Sequence, residues 1–208
     1  MDPDRDRADA DRAAHDCAAD RAANDRADAD RAAHDRAAND RADARSRLDR
    51  LELDRSRRLT VPVLVARSAR RAPEASALAC EADRRTFGEL EERSNRLAGV
   101  LAARGARPGD HVAMLQYNGI EFVEAFLAIQ KLGACAVPVN FRLSREEVDY
   151  VLGDCGARLA ITDPELAPRA GGVETLVVGP DYEAALAAAA PERPDHEPKG
   201  EDLAFLVY

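Results

Sequence analysis

Residues 110–139 read DHVAMLQYNGIEFVEAFLAIQKLGACAVPV, and this stretch decides the fold. His111–Leu115 is a short apolar run without polar alternation, the pattern of a strand covered on both faces. Asn118 is placed to start a helix over Ile120–Leu132, in which Phe122, Phe126 and Ile129 share a face and after which Gly133 is the stop. Ala134–Val139 is a second unbroken apolar run. Strand, helix and strand in this order imply a crossover between parallel neighbours.

The same alternation extends in both directions. Upstream, Thr60 is placed to cap a helix over Val61–Arg70 that Pro73 ends, and Ala77–Glu81 reads as a strand followed by a turn at Asp83-Arg84. Thr86 and Glu89 have capping-box spacing and open a helix with Leu90, Ser94, Leu97 and Leu101 on one face; Gly105 closes it, and Arg107-Pro108-Gly109-Asp110 turns the chain. Downstream, Ser144 and Glu147 form a second capping box, opening a helix through Leu152. Arg158–Thr162 and Thr175–Val178 read as strands, and Tyr182–Ala190 as a helix. The expected class is α/β, a mostly parallel sheet with flanking helices. Pro191–Gly200 reads as a solvated linker, and Asp202–Tyr208 as a final apolar strand. The expected organisation is a tail over 1–58, an α/β subdomain over 59–190, and a linker with its strand over 191–208.

The tail is a low-complexity repeat of Asp-Arg-Ala-Asp-Ala, Asp-Arg-Ala-Ala-His and Asp-Arg-Ala-Ala-Asn, interrupted once by Asp16-Cys17-Ala18-Ala19. Each five-residue step would advance a helix about 140° beyond a full turn, so the alanines walk round the axis and build no docking face. The tail has no Val, Ile, Phe, Tyr or Trp and only three leucines, Leu48, Leu51 and Leu53. A disordered or solvated helical segment is expected. The whole chain of 208 residues has 39 acids against 30 bases, a net charge of −9. That balance, with no basic stripe, argues against a nucleic-acid partner. No apolar run approaches the roughly 18 residues of a membrane span, and Met1-Asp2-Pro3-Asp4-Arg5 does not open a secretory signal. A cytoplasmic location is the expectation.

The polar residues give no catalytic constellation. Cys17, Cys80, Cys135 and Cys155 lack metal-ligand or redox spacing, and His15 and His34 recur only with the repeat, so no metal site is expected. His111 would need an orienting carboxylate, and Asp110 points the other way along a strand; His196 stands in the Pro-rich linker and is expected in solvent. Glu89/Glu92 and Glu121/Glu124 sit three apart on helices, the spacing of an outer polar face. Lys131 is placed to favour a helix C-terminus, and Gly171-Gly172 makes a tight turn without a phosphate-binding helix after it. No Gly-x-Gly-x-x-Gly, Gly-x4-Gly-Lys or Gly-x-Ser-x-Gly motif occurs.

A resemblance lies in an ordered series. Thr86-Phe87-Gly88-Glu89-Leu90, Ser94-Asn95-Arg96-Leu97-Ala98, Pro108-Gly109-Asp110-His111-Val112-Ala113, Asn118-Gly119-Ile120-Glu121-Phe122, Ala125-Phe126-Leu127-Ala128 and Lys131-Leu132-Gly133-Ala134 follow one another across residues 59–208. The series resembles the opening of AMP-forming adenylating enzymes, the acyl-CoA synthetase superfamily. Val137-Pro138-Val139-Asn140-Phe141-Arg142-Leu143 is similar to fatty-acid and other carboxylate–CoA ligases; amino-acid adenylation domains usually read Tyr-Val-Pro-Leu-Asp there. The resemblance implies the family's first α/β subdomain, which builds scaffold beside the substrate cleft. It implies a reaction using ATP, Mg²⁺, a carboxylic acid and CoA, by way of an acyl-adenylate. The family's phosphate loop, rich in Thr, Ser and Gly, would follow Tyr208. None of its catalytic residues therefore maps onto a position of this chain, and cofactor-binding residues stay unassigned.

The expectation is a truncated N-terminal piece of such a ligase, inactive by itself and prone to self-association through uncovered apolar surface. A non-catalytic interaction module, or a split-enzyme half docking on a chain that carries the ATP site, is the alternative. A third reading is an unrelated doubly wound binding domain.

Overall fold

The computed structural model describes residues 45–47, which are helical, and 59–208. The repeat expected over 1–58, with Cys17, His15 and His34, otherwise lies outside the described residues. Six strands and five helices follow from residue 61: α1 (Val61–Arg71), β1 (Ser76–Cys80), β2 (Asp83–Thr86), α2 (Phe87–Ala103), β3 (His111–Leu115), α3 (Ile120–Lys131), β4 (Cys135–Pro138), α4 (Arg145–Cys155), β5 (Leu159–Thr162), β6 (Glu174–Val177) and α5 (Pro180–Ala188). A 3₁₀ turn, Ala167–Arg169, lies between β5 and β6. The central sheet is parallel, in the order β4-β3-β5-β6.

The alternation of β3 explains the layering. Val112 and Met114 join one apolar cluster with Leu97 and Leu101 of α2, Ala125 and Ile129 of α3, and Tyr182 and Leu186 of α5. Ala113 and Leu115 point the other way, into a cluster with Val148, Val151 and Leu152 of α4 and with Leu166. Both faces are therefore covered, as a parallel sheet requires, and α1 lies outside against α2 and α3.

Both capping boxes form. Thr86 Oγ1 accepts the Glu89 N–H at 3.2 Å while Glu89 Oε2 accepts the Thr86 N–H at 2.8 Å, and Ser144 and Glu147 repeat the exchange at 3.3 and 2.8 Å. Two expected caps fail. Thr60 occupies the N-cap of α1, but its side chain makes no cap bond and its Oγ1 is buried without a partner. Pro62 stands where one of the N–H groups would have been offered. The N-cap of α3 is Gly119, since the helix begins at Ile120 and leaves Asn118 one residue too far upstream.

The turn expected at Asp83-Arg84 is instead strand. These residues pair with Cys80 and Ala79 in an antiparallel β1–β2 hairpin, and the reversal falls at Glu81, with φ of +51°. The strand read at Asp202–Tyr208 is reduced to one parallel bridge, Ala136 with Phe205. There Ala136 N–H donates to Ala204 O and Leu206 N–H to Ala136 O, and Phe205 stacks on Phe126 at 4.5 Å. His196 is half-buried, not in solvent: its Nε2 is 3.0 Å from Asp202 Oδ2, and its ring lies on Gly133, where a Cβ would come within 2.5 Å.

Candidate functional site

The chain leaves β3 toward β4 on one side and leaves β5 toward β6 on the other. The crevice beyond the carboxyl ends of β3 and β5 is thus the topological switch point, where open α/β sheets place ligands. Leu115 and Thr162 are partners in the register there. Each strand brings a buried polar side chain to this point. Gln116 is 4% exposed with no partner for Oε1, and Thr162 is fully buried with none for Oγ1. Unpartnered buried polar atoms are rare, and two of them stand at this switch point.

Around them the loops are held by specific bonds. Asp163 N–H donates to Leu115 O, and Asp163 Oδ2 accepts the Tyr117 N–H at 2.5 Å. Burial pushes the Asp163 carboxyl above its ordinary value, against the opposing pull of that N–H. The ring of Tyr117 lies 5.0 Å from that of Phe141. Arg169 Nη1 donates to the carbonyls of Phe141 and Leu143 at 2.6 and 3.1 Å, fixing the loop that leaves β4.

A cavity of about 420 Å³ opens at the carboxyl end of β4. Pro138, Val139, Leu143, Tyr150, Val151 and Tyr208 give it an apolar lining, with Asn140, Glu146 and Glu147 as its polar residues. The Tyr208 hydroxyl donates to Asp154 Oδ2 at 2.6 Å, and that carboxylate pushes its pKa up to about 12. Such a lining takes an apolar group. Among the described residues, no group of three His, Cys, Asp or Glu could hold a metal ion, and no helix is long and apolar enough to cross a membrane.

The residues singled out in the sequence fall elsewhere. His111 is at the amino end of β3, with Nδ1 2.6 Å from Cys155 O. Glu89 is spent on its capping box, and Glu92 pairs with Arg96 on the surface. Glu124, expected on an outer face, is fully buried: Arg93 Nε is 2.6 Å away, Arg85 Nε 3.4 Å, and the Tyr182 hydroxyl donates to it at 2.8 Å. Arg93 also holds Glu183 at 2.6 Å, which keeps the Glu183 carboxyl below its ordinary value, while burial raises the Tyr182 phenol. Lys131 is likewise no surface cation. It is fully buried, its Nζ 2.9 Å from Glu91 Oε2 and 2.7 Å from both Ser94 Oγ and Asn95 Oδ1. These two clusters lock α2, α3 and α5 together. The crevice residues Gln116, Tyr117, Thr162 and Asp163 had one sequence signal, their position just past two apolar runs.

The AMP-binding enzyme model matches residues 65–208. The chain belongs to the AMP-binding enzyme family. Among the relatives of this family member, 3-oxocholest-4-en-26-oate–CoA ligase of Rhodococcus rhodochrous is 33% identical over 170 residues, covering 72% of this chain and 30% of that protein. The long-chain-fatty-acid–CoA ligase FadD13 of Mycobacterium tuberculosis is 38% identical over 135 residues, covering 60% of this chain and 27% of that protein. A solved fatty acyl CoA synthetase of Mycobacterium tuberculosis superposes with a TM-score of 0.67 at 30% identity, covering 74% of this chain and 33% of that one. This AMP-binding family member thus spans under a third of the length of these curated relatives, and it is similar to the solved N-terminal domain of FACL13 from Mycobacterium tuberculosis, with a TM-score of 0.64 at 31% identity over 69% of this chain and 39% of that one.

Proposed function

We propose that residues 59–208 build the first α/β subdomain of an AMP-forming carboxylate–CoA ligase of the fatty-acid type. In that reaction a carboxylate displaces pyrophosphate from ATP to give an acyl-adenylate, and the CoA thiol then displaces AMP to give a thioester. One observation carries the assignment to this branch. Val137–Leu143, the segment similar to carboxylate–CoA ligases, stands at the carboxyl end of β4, where Pro138, Val139, Asn140 and Leu143 wall the apolar cavity.

The part played by these residues is positional. Arg169 fixes the wall of the cavity, the Tyr117–Asp163 bond ties the ends of β3 and β5, and Gln116 and Thr162 offer unmatched hydrogen-bonding groups at the crevice. Among the described residues no three His, Cys, Asp or Glu gather as a metal site, and none of these residues is proposed to act through Mg²⁺. The 208 residues contain no hydroxyl- and glycine-rich phosphate loop, the nest that would hold the nucleotide. By themselves they are proposed to be inactive.

The test is ATP–pyrophosphate exchange with short- to long-chain carboxylates. The 208-residue polypeptide stays at background, whereas a chimera carrying residues 59–208 in place of the matching segment of a long-chain-fatty-acid–CoA ligase forms acyl-CoA. Exchange by the 208-residue polypeptide alone, or a folded chimera unable to form the adenylate, refutes the reading.

A further inference from the structure

The sheet has a second concavity at its opposite end. A groove of about 730 Å³ runs along the amino ends of β3, β5 and β6, beside the turns that close α2 and α4. Arg104 from the end of α2, Arg107 from the next turn and Arg158 from the turn before β5 line it, together with His111, Asp110 and Glu174. Three arginines thus line one groove, although residues 59–208 carry 23 acids against 16 bases. Of the two carboxylates only Glu174 is paired with a cation, and Asp110 keeps its charge. Glu174 pairs with Arg104 at 3.2 Å, and Asp110 Oδ2 accepts the Arg107 backbone N–H at 2.8 Å. No carboxylate among the described residues pairs with the side chain of Arg107 or Arg158. His111 is held through Nδ1 by the Cys155 carbonyl, which leaves Nε2 as the ring's remaining polar atom.

We propose that this groove binds a small phosphorylated anion carrying at least two negative charges, at a site separate from the crevice at the carboxyl ends of the strands. Planar guanidiniums meet phosphate oxygens two at a time, and Arg107 and Arg158 are the two in this lining whose side chains no described carboxylate holds. Gly105 and Gly156 take φ of +94° and +66°, so these turns carry no Cβ that would narrow the groove. The inference does not rest on the ligase reading. The competing account, that the arginines only offset the partial negative charge of two helix C-termini, predicts a different experimental outcome.

Inorganic pyrophosphate, free of divalent metal, is titrated into the 208-residue chain by calorimetry and amide-correlation NMR, with sodium chloride at matched ionic strength as the control. Saturable binding is expected, with shifts concentrated at residues 104–111 and 156–159. Arg107→Ala combined with Arg158→Ala weakens it by about tenfold or more at an unchanged melting temperature. Arg158→Lys, which keeps charge but loses the planar fork, weakens it less, and Arg67→Ala on α1 leaves it unchanged. A melting temperature that falls in the double variant while pyrophosphate binding persists assigns the arginines to the helix ends and overturns the proposal. So does a response matched by sodium chloride, or no saturation by about 10 mM, the weak end of specific affinities.

Discussion

The Lys131 ammonium is enclosed by α2 and α3, and burial holds its pKa down at about 8 against an ordinary 10.5, with Glu91 opposing the shift. Between those values the unfolded chain still binds the proton that the folded chain has released. This group's contribution to stability therefore rises with pH across the window. The Cys135 thiol and Tyr182 phenol, both raised by burial, act in the opposite sense, so the test is a difference. Urea unfolding of the parent and Lys131→Met, at steps from pH 7.5 to 10, is expected to show the parent gaining on the variant by at most about 3 kcal/mol. A difference independent of pH would remove the argument. Glu124 gives a second contrast. Glu124→Gln leaves Arg93 and Arg85 without their buried partner and is expected to cost about 3–5 kcal/mol, whereas Glu92→Gln, at an exposed i,i+4 pair, costs under about 0.5 kcal/mol. Both glutamates look alike in the sequence. What separates them is Tyr182, which α5 brings to Glu124 of α3 from 58 residues away, and Arg93 of α2, which pairs with Glu124 and with Glu183 of α5.

At the level of elements, each cap is a local bargain between a side chain and the N–H groups of one turn. Thr86→Ala removes a formed capping bond and should lower stability by about 1 kcal/mol. Thr60→Val removes a buried hydroxyl that has no partner, so it should be neutral or slightly stabilising in the same thermal melts. Equal losses in the two variants would contradict the structure. Local signals of this kind made most of the fold readable: apolar runs placed β3, β4 and β5, and the Ser144–Glu147 and Thr86–Glu89 spacings placed α4 and α2. The strand β2 was not readable, because Asp83-Arg84-Arg85-Thr86 has no apolar residue to set a period. Its pairing comes from the reversal at Glu81 and from β1.

Across the whole molecule, the candidate site was illegible for a related reason. A switch point exists only once the strand order is known, and no local pattern states that β5 lies beside β3 and not beside β4. The sheet also ends in a weak edge. The segment after Asp202 meets β4 through a single bridge, and Leu203, Phe205, Val207 and Tyr208 are 58, 42, 74 and 52% exposed. An apolar, half-paired strand edge invites a further strand, because its free N–H and C=O groups and its side chains are satisfied together by the same partner. The 208-residue polypeptide is therefore expected to self-associate, with sedimentation coefficients that rise with concentration. Replacing Leu203 and Val207 by Lys places charges on that edge without touching the Ala136–Phe205 bridge or the Phe205–Phe126 stack, and should return the chain to a monomer at an unchanged melting temperature. Association that persists in this variant would place the contact elsewhere, and a parent that is monomeric at every concentration would show that the single bridge and stack are enough to close the sheet.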